Sequence, residues 1–242
     1  MRTNIVCNQC SQANKGFAVF YVDTIRDDGV YIGRCPKGHH NAVATQTLRH
    51  EMLFDIALNA IVDKYHREAI SSFAASVERY YEFAIRVLAK NRKIDPSTFE
   101  ISWKTVSAQS ERQLGAYVFL YTVSFNESPV VLSSSMITLR NKVIHNGVLP
   151  TLQEVLDFGE ASYDLIQKGI QKLRANCLDD VNNQLVESMR KTIEKFGDQF
   201  PRSTQVTPTA LNVIQDLSAG YRTFQQIIRG YGIQTPHGEA PQ

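Results

Sequence analysis

The feature that most restricts this chain lies in its first 40 residues. They contain Cys7-Asn-Gln-Cys10 and, after 24 intervening residues, Cys35-Pro-Lys-Gly-His39-His40. Two short turns that each offer two soft or borderline donors can close a tetrahedron around zinc. Gly38 suits the tight turn that brings the last donor round, and Pro36 stiffens its entry. Between the donor pairs run two strand-like stretches, Phe17 to Val22 and Val30 to Arg34, and Arg26-Asp27-Asp28-Gly29 reads as a hairpin turn joining them. So small a ribbon cannot bury enough core to fold alone, and metal binding would supply its folding free energy. The competing reading is that these are ordinary buried cysteines.

Cys7, Cys10 and Cys35 are the first three expected ligands. Spacing leaves both His39 and His40 for the fourth position, and His39 is favoured because it resembles a ligand on the second knuckle of known zinc ribbons. A site with four protein ligands has no open position for water, so the expected zinc is structural. Lys15, Arg26, Arg34 and Lys37 are available to a nucleic acid or protein partner.

From about Thr45 the apolar period changes from two to near 3.6. Leu48, Met52, Leu53, Ile56, Ala60 and Ile61 form one face; Ile70, Phe73, Ala74, Val77, Tyr81, Ala84, Ile85 and Leu88 form another. Asp95-Pro96 predicts a capped helix start, and Thr151-Leu-Gln-Glu154 a capping box that opens a helix to about Ala175. Gly115 to Val123 reads as a core helix and Val181 to Phe196 as a further helix. Phe200 to Pro208 reads as a linker, Ala210 to Arg229 as a last helical segment. The expected fold is mainly α: a small β zinc ribbon (1–45), an all-α helical bundle (46–176), a helical extension (177–229) and a disordered tail (230–242).

Composition adds limits. The 242 residues carry a net charge of +2, with 43% hydrophobic and 21% charged residues, as in an ordinary globular protein. That balance neither requires nor excludes a polyanionic partner, and the basic residues from Arg86 to Arg112 read as a solvated helix end more readily than as a phosphate-binding patch. No apolar run approaches the roughly 18 residues of a membrane span. The first residues lack a signal peptide's apolar run, so the expected location is the reducing cytoplasm, without disulfides. Cys177 reads as a helix-end or partly buried thiol, His50 and His66 as solvated helix residues, and Trp103, Tyr80 and Tyr81 as core or interface.

A separate element, Met136 to Gly147, places Arg140 and His145 on a helix that Asn146-Gly147 would end. His145 then sits in the last turn, where the helix dipole favours an imidazolium and the ring can face a cleft. Five residues separate the pair by about 140° and roughly 7.5 Å of rise. A joint role therefore needs the arginine to swing toward the helix end, or a second copy to approach across a two-fold interface. Two histidines and two arginines suffice to cleave RNA without a metal, by proton transfer from the 2′-hydroxyl and to the departing 5′-oxygen.

The run Arg140-Asn141-Lys142-Val143-Ile144-His145 resembles the signature of the HEPN superfamily: an arginine, a polar residue directly after it, and a histidine four to six residues beyond. The resemblance covers roughly residues 46 to 176. It implies an all-α homodimer with metal-independent endoribonuclease activity on RNA, and no cofactor for catalysis. It also implies service in antiviral (phage) defence or toxin-like growth arrest, under an antitoxin or a phage-derived trigger. Arg140 and His145 carry over as catalytic and Asn141 as the supporting polar residue. Glu78 is similar to an acidic residue that some members place near the site. The competing readings are a non-catalytic scaffold for protein or nucleic acid and a zinc-ribbon DNA-binding regulator with a helical dimerisation domain.

Overall fold

The computed structural model describes residues 3–12, 18–22, 25–194, 202–207, 209–213 and 220–235. The protein is mainly α-helical, with a small strand region near its N-terminus. Its residues group into two units, Met1–Leu48 with Asn182–Pro208 and Arg49–Val181 with Thr209–Gln242.

The first unit holds β1 (Thr3–Val6), α1 (Asn8–Gln12), β2 (Val19–Val22), β3 (Val30–Arg34), β4 (His40–Thr45) and β5 (Arg202–Gln205). β1 pairs antiparallel with β2, Thr3 opposite Val22, and β3 with β4, Val30 opposite Ala44. The expected hairpin of β2 with β3 is therefore not the pairing. Arg26 to Gly29 does turn, with Gly29 N donating to Arg26 O at 3.0 Å. The ladders form instead across the two cysteine-bearing turns, because each turn brings its own flanking strands together. β4 was not foreseen. The expected linker contains β5 in its described part, paired parallel to β4; residues 195–201 and 208 lie outside the described residues, as do Lys15 and Phe17.

One face of the ribbon packs Ile5, Phe20, Tyr31 and Val43 around Cys7, Cys10 and Cys35. The Phe20 ring lies 2.8 Å from where a β-carbon on Gly33 would sit, so only glycine admits it there. The other face buries Val30, Ala42 and Ala44 against Ile193.

The second unit contains α2 (Arg49–Val62), α3 (His66–Asn91), α4 (Pro96–Val106), α5 (Ser110–Phe125), α6 (Ser134–His145), α7 (Leu152–Ile193, of which the residues after Val181 belong to the first unit) and α8 (Phe224–Gly230). α3 is its axis: the whole expected apolar face is buried, and Tyr80, Phe83 and Val87 with it. Both start signals operate. The Asp95 side chain accepts from Thr98 N at 2.9 Å, and Thr151 and Glu154 bond reciprocally at 2.8 and 3.3 Å. The two helices expected after Pro150 form one element broken at Cys177, whose φ of −138° is non-helical. α5 is a helix but not a core one, since only Gln113, Tyr117 and Tyr121 are buried while Phe119 and Val123 are 74% and 63% exposed.

α2 buries a different face from the one its apolar residues suggested. His50, Glu51, Phe54, Asp55, Ala57, Leu58 and Ile61 are inside, whereas Met52, Leu53, Ile56 and Ala60 are half-buried. The two carboxylates explain the difference: Glu51 accepts from Val213 N at 2.7 Å and Asp55 from Ala210 N at 2.9 Å, so they satisfy backbone donors of an irregular segment. The expected helix from Ala210 is accordingly absent at residues 209–213 and present only at α8, which Thr223 and Gln226 open with a capping box; residues 214–219 lie outside the described residues. Part of the expected disordered tail is packed, Ile233 being buried; residues 236–242 lie outside the described residues.

His50 is buried rather than solvated, and burial lowers its pKa to about 3. Burial also raises that of Asp55 to about 6, against the bonds from Ala210 and Tyr231. The neutral His50 makes folding weaker as pH falls below about 6.5, because the unfolded chain takes up the proton. Asp55 acts oppositely: its neutral form stabilises the fold in acid, and that contribution is lost as pH rises through about 6. Their slopes cancel between roughly pH 4 and 6. Asp55→Asn should remove one arm, so that urea unfolding followed at pH 4 to 6 shows stability falling on acidification more steeply than in the wild type, by about 1.4 kcal/mol per unit. A variant whose slope between pH 4 and 6 equals that of the wild type would contradict this assignment.

Candidate functional site

The two cysteine-bearing turns converge in the first unit. Cys7 and Cys10 flank the start of α1, where Ser11 N donates to Cys7 O at 3.1 Å. Cys35 and His39 flank a turn closed by Gly38 N to Cys35 O at 2.8 Å, with Gly38 at a φ of +82° that glycine adopts without strain. The His39 Nδ1 atom lies 3.7, 3.2 and 3.7 Å from the sulfurs of Cys7, Cys10 and Cys35, and the sulfurs of Cys10 and Cys35 are 3.9 Å apart. Bond lengths of a tetrahedral zinc site imply donor separations of roughly 3.6 to 3.8 Å. The four donors therefore fit one metal ion, and zinc suits their chemistry. His40 is not in the cluster; it starts β4, opposite Arg34.

The cysteines are free thiols in unequal surroundings. Burial raises the Cys10 thiol to about 11. Cys7 is held down to about 6, because hydrogen bonds from the Cys10 backbone, Asn41 and His39 outweigh its burial. Asn41 is buried and donates to His39 O at 2.9 Å, tying the turn to the cluster. Sequence reasoning passed over it, since an asparagine after two histidines carries no ligand signal.

In the second unit, α6 starts where the Ser133 side chain accepts from Met136 N, and ends at His145, where Gly147 adopts a φ of +70°. Val143 is its one buried residue, so the helix rests on the unit by a narrow edge and leaves its polar side open. Arg140 bends along that side. Its guanidinium donates to Glu78 Oε1 at 3.0 Å and to Asn141 Oδ1 at 3.0 Å, and its Nη1 reaches His145 Nε2 at 3.5 Å. All four residues expected from the sequence thus meet at one guanidinium, although Glu78 lies 62 positions away on α3.

Neighbouring ion pairs leave Glu78 to this contact. Arg79 and Arg86 pair with Glu82, and Arg86 also with Glu100. The Arg140 and Glu78 side chains are 22% and 29% exposed, so a solvent-borne anion can reach the guanidinium. The basic stretch from Arg86 to Arg112 offers little more: Arg86 is ion-paired, and Arg92 and Arg112 donate to Val123 O and Thr105 O. Trp103, Tyr80 and Tyr81 are buried, and His66 contacts Pro150 O at 3.3 Å.

Among the described residues no helix is long and apolar enough to cross a membrane. No family model, curated protein or solved structure matches the chain.

Proposed function

We propose that this protein is a metal-independent endoribonuclease of the HEPN kind. It works as a cytoplasmic homodimer in phage defence or toxin-like growth arrest, with an antitoxin or a phage-derived trigger as its control and structural zinc in its ribbon. The observation that carries the reading is the meeting of Glu78, Asn141 and His145 at the Arg140 guanidinium, with His145 Nε2 3.5 Å from Nη1. A guanidinium that holds a phosphate there would set the adjacent 2′-hydroxyl beside the imidazole.

The chemistry follows from those groups. His145 Nε2 takes the 2′-hydroxyl proton as the oxygen attacks phosphorus, and the P–O5′ bond breaks to leave a 2′,3′-cyclic phosphate. The departing 5′-oxygen takes a proton from the second copy's imidazolium, and the guanidinium groups hold the charge on the phosphoryl oxygens. Glu78 and Asn141 position Arg140 rather than react. Exposed Val148 and Leu149, just after α6, supply apolar surface for the second copy.

The test is cleavage of a mixed RNA pool, with and without EDTA, by wild type, Arg140→Ala and His145→Ala, each checked for folding and dimerisation. Wild type should leave cyclic phosphate and 5′-hydroxyl ends, and each variant should lose about a hundredfold or more in rate. The reaction without chelator controls for loss of the ribbon. Folded wild-type dimer that cuts nothing in either buffer would overturn the nuclease and favour the scaffold.

A further inference from the structure

Beside Arg140 lies a pocket of about 120 Å³ between α3, α5 and α6. Its lining is mostly apolar, with Ala74, Val77 and Leu114 beside the Tyr81 ring and the exposed Ile137 at its edge. Tyr81 cannot yield, since it stacks on Tyr117 at 4.8 Å between centroids and both are buried. The polar groups are few: Arg140, Asn141, Glu78, Ser110 and Glu111. Arg140 and Glu78 bond each other, so Glu111 is the carboxylate left to face an incoming donor, held loosely by Ser110 Oγ at 3.3 Å.

We propose that this pocket is a nucleobase subsite that takes the base next to the scissile phosphate and prefers guanine. The inference rests on the nuclease reading and adds to it a substrate preference. Three requirements meet in one ligand. A flat apolar body suits the apolar lining, an anionic group suits Arg140 at the edge, and two adjacent N–H donors can meet both oxygens of the Glu111 carboxylate, which the amino group of cytosine or adenine, with no ring N–H beside it, cannot. Guanine alone among the bases offers adjacent N1–H and N2–H donors. A carboxylate would repel a phosphate, so Glu111, exposed in the first turn of α5, suits a base in this pocket better than the RNA backbone.

The experiment has two arms. Ends produced from a random RNA pool are sequenced for wild type, Glu111→Gln and Ile137→Trp, and binding of guanosine 5′-monophosphate and cytidine 5′-monophosphate to the full chain is measured by equilibrium dialysis. Ile137 is exposed, so a tryptophan there fills the mouth without overpacking the core. Cleavage beside guanosine by wild type, flattened about tenfold by Glu111→Gln and blocked by Ile137→Trp, is the expected result. RNA cut without base bias, or with a bias that Glu111→Gln leaves intact, overturns the subsite and spares the nuclease. Guanosine monophosphate bound in preference to cytidine monophosphate, lost in both variants and without any cleavage, supports the subsite and removes the nuclease. Neither cleavage nor preferential binding overturns both.

Discussion

Removing the metal, or replacing Cys10 with serine, should unfold the ribbon while leaving the helical unit folded. Three of the eight residues in the ribbon's inner core are the cysteines themselves, the others being Ile5, Ala18, Phe20, Tyr31 and Val43. So few apolar side chains cannot offset the cost of ordering the surrounding strands. A structural zinc ion supplies about 10 to 16 kcal/mol of apparent binding free energy at neutral pH, which is enough to reverse that balance. Metal binding should weaken in acid, because each thiol must release its proton to bind. Hydrogen exchange with mass spectrometry reads the outcome directly. After chelation the amides of β1 to β4 should exchange within the dead time and those of α3 should keep their protection. Protected strands in the chelated protein would show that the cysteines are merely core residues. The helical unit serves as the internal control, since α3 is buried around much of its circumference without help from the ribbon's donors.

What the sequence made legible follows the range of the interaction that carries it. The donor spacing located the three cysteines of the cluster because short turns fix where their side chains point, while the choice of His39 over its neighbour His40 came from resemblance to known zinc ribbons. Asp95, Thr151 and Glu154 signalled their helix starts for the same reason: a cap acts within three residues. Strand partners were less legible. Arg26 to Gly29 is a turn, yet local propensity could not tell whether the strands beside it pair with each other, and β5 reaches β4 from about 160 residues away, as Ser203 opposite Val43. The buried face of α2 was misread because Glu51 and Asp55 count as solvated on any hydropathy pattern, and only the backbone donors of Val213 and Ala210 make their burial affordable. The Arg140 cluster was legible in its members and not in its geometry. Spacing on an ideal helix sets Arg140 and His145 well apart, and it is the length of the arginine side chain, anchored by Glu78, that closes the distance.

Gly169→Ala should destabilise the helical unit by about 3 kcal/mol, although alanine is the better helix former. Gly169 lies on α7, where a β-carbon would fall 1.8 Å from the Tyr80 hydroxyl and 2.6 Å from Cζ of its ring. Tyr80 has nowhere to go. It is fully buried on α3, its ring meets His50, Tyr81 and Tyr117 at centroid distances of 5.9, 6.1 and 5.8 Å, and its hydroxyl lies 3.4 Å from that of Tyr117. The added methyl must therefore push α7 off α3 or tear Tyr80 from its neighbours, and either strain exceeds the roughly 1 kcal/mol that alanine gains in helix propensity. Chemical unfolding followed by far-ultraviolet circular dichroism should show the midpoint shift, and Gly169→Val should shift it further. A double-mutant cycle identifies the cause. Tyr80→Phe removes the 1.8 Å clash and leaves the 2.6 Å one, so the second substitution should recover part of the loss and the two effects should fail to add by about 1 kcal/mol or more. Additive losses would mean that the helices already have room at this crossing, and that the glycine is not what allows α7 to approach Tyr80.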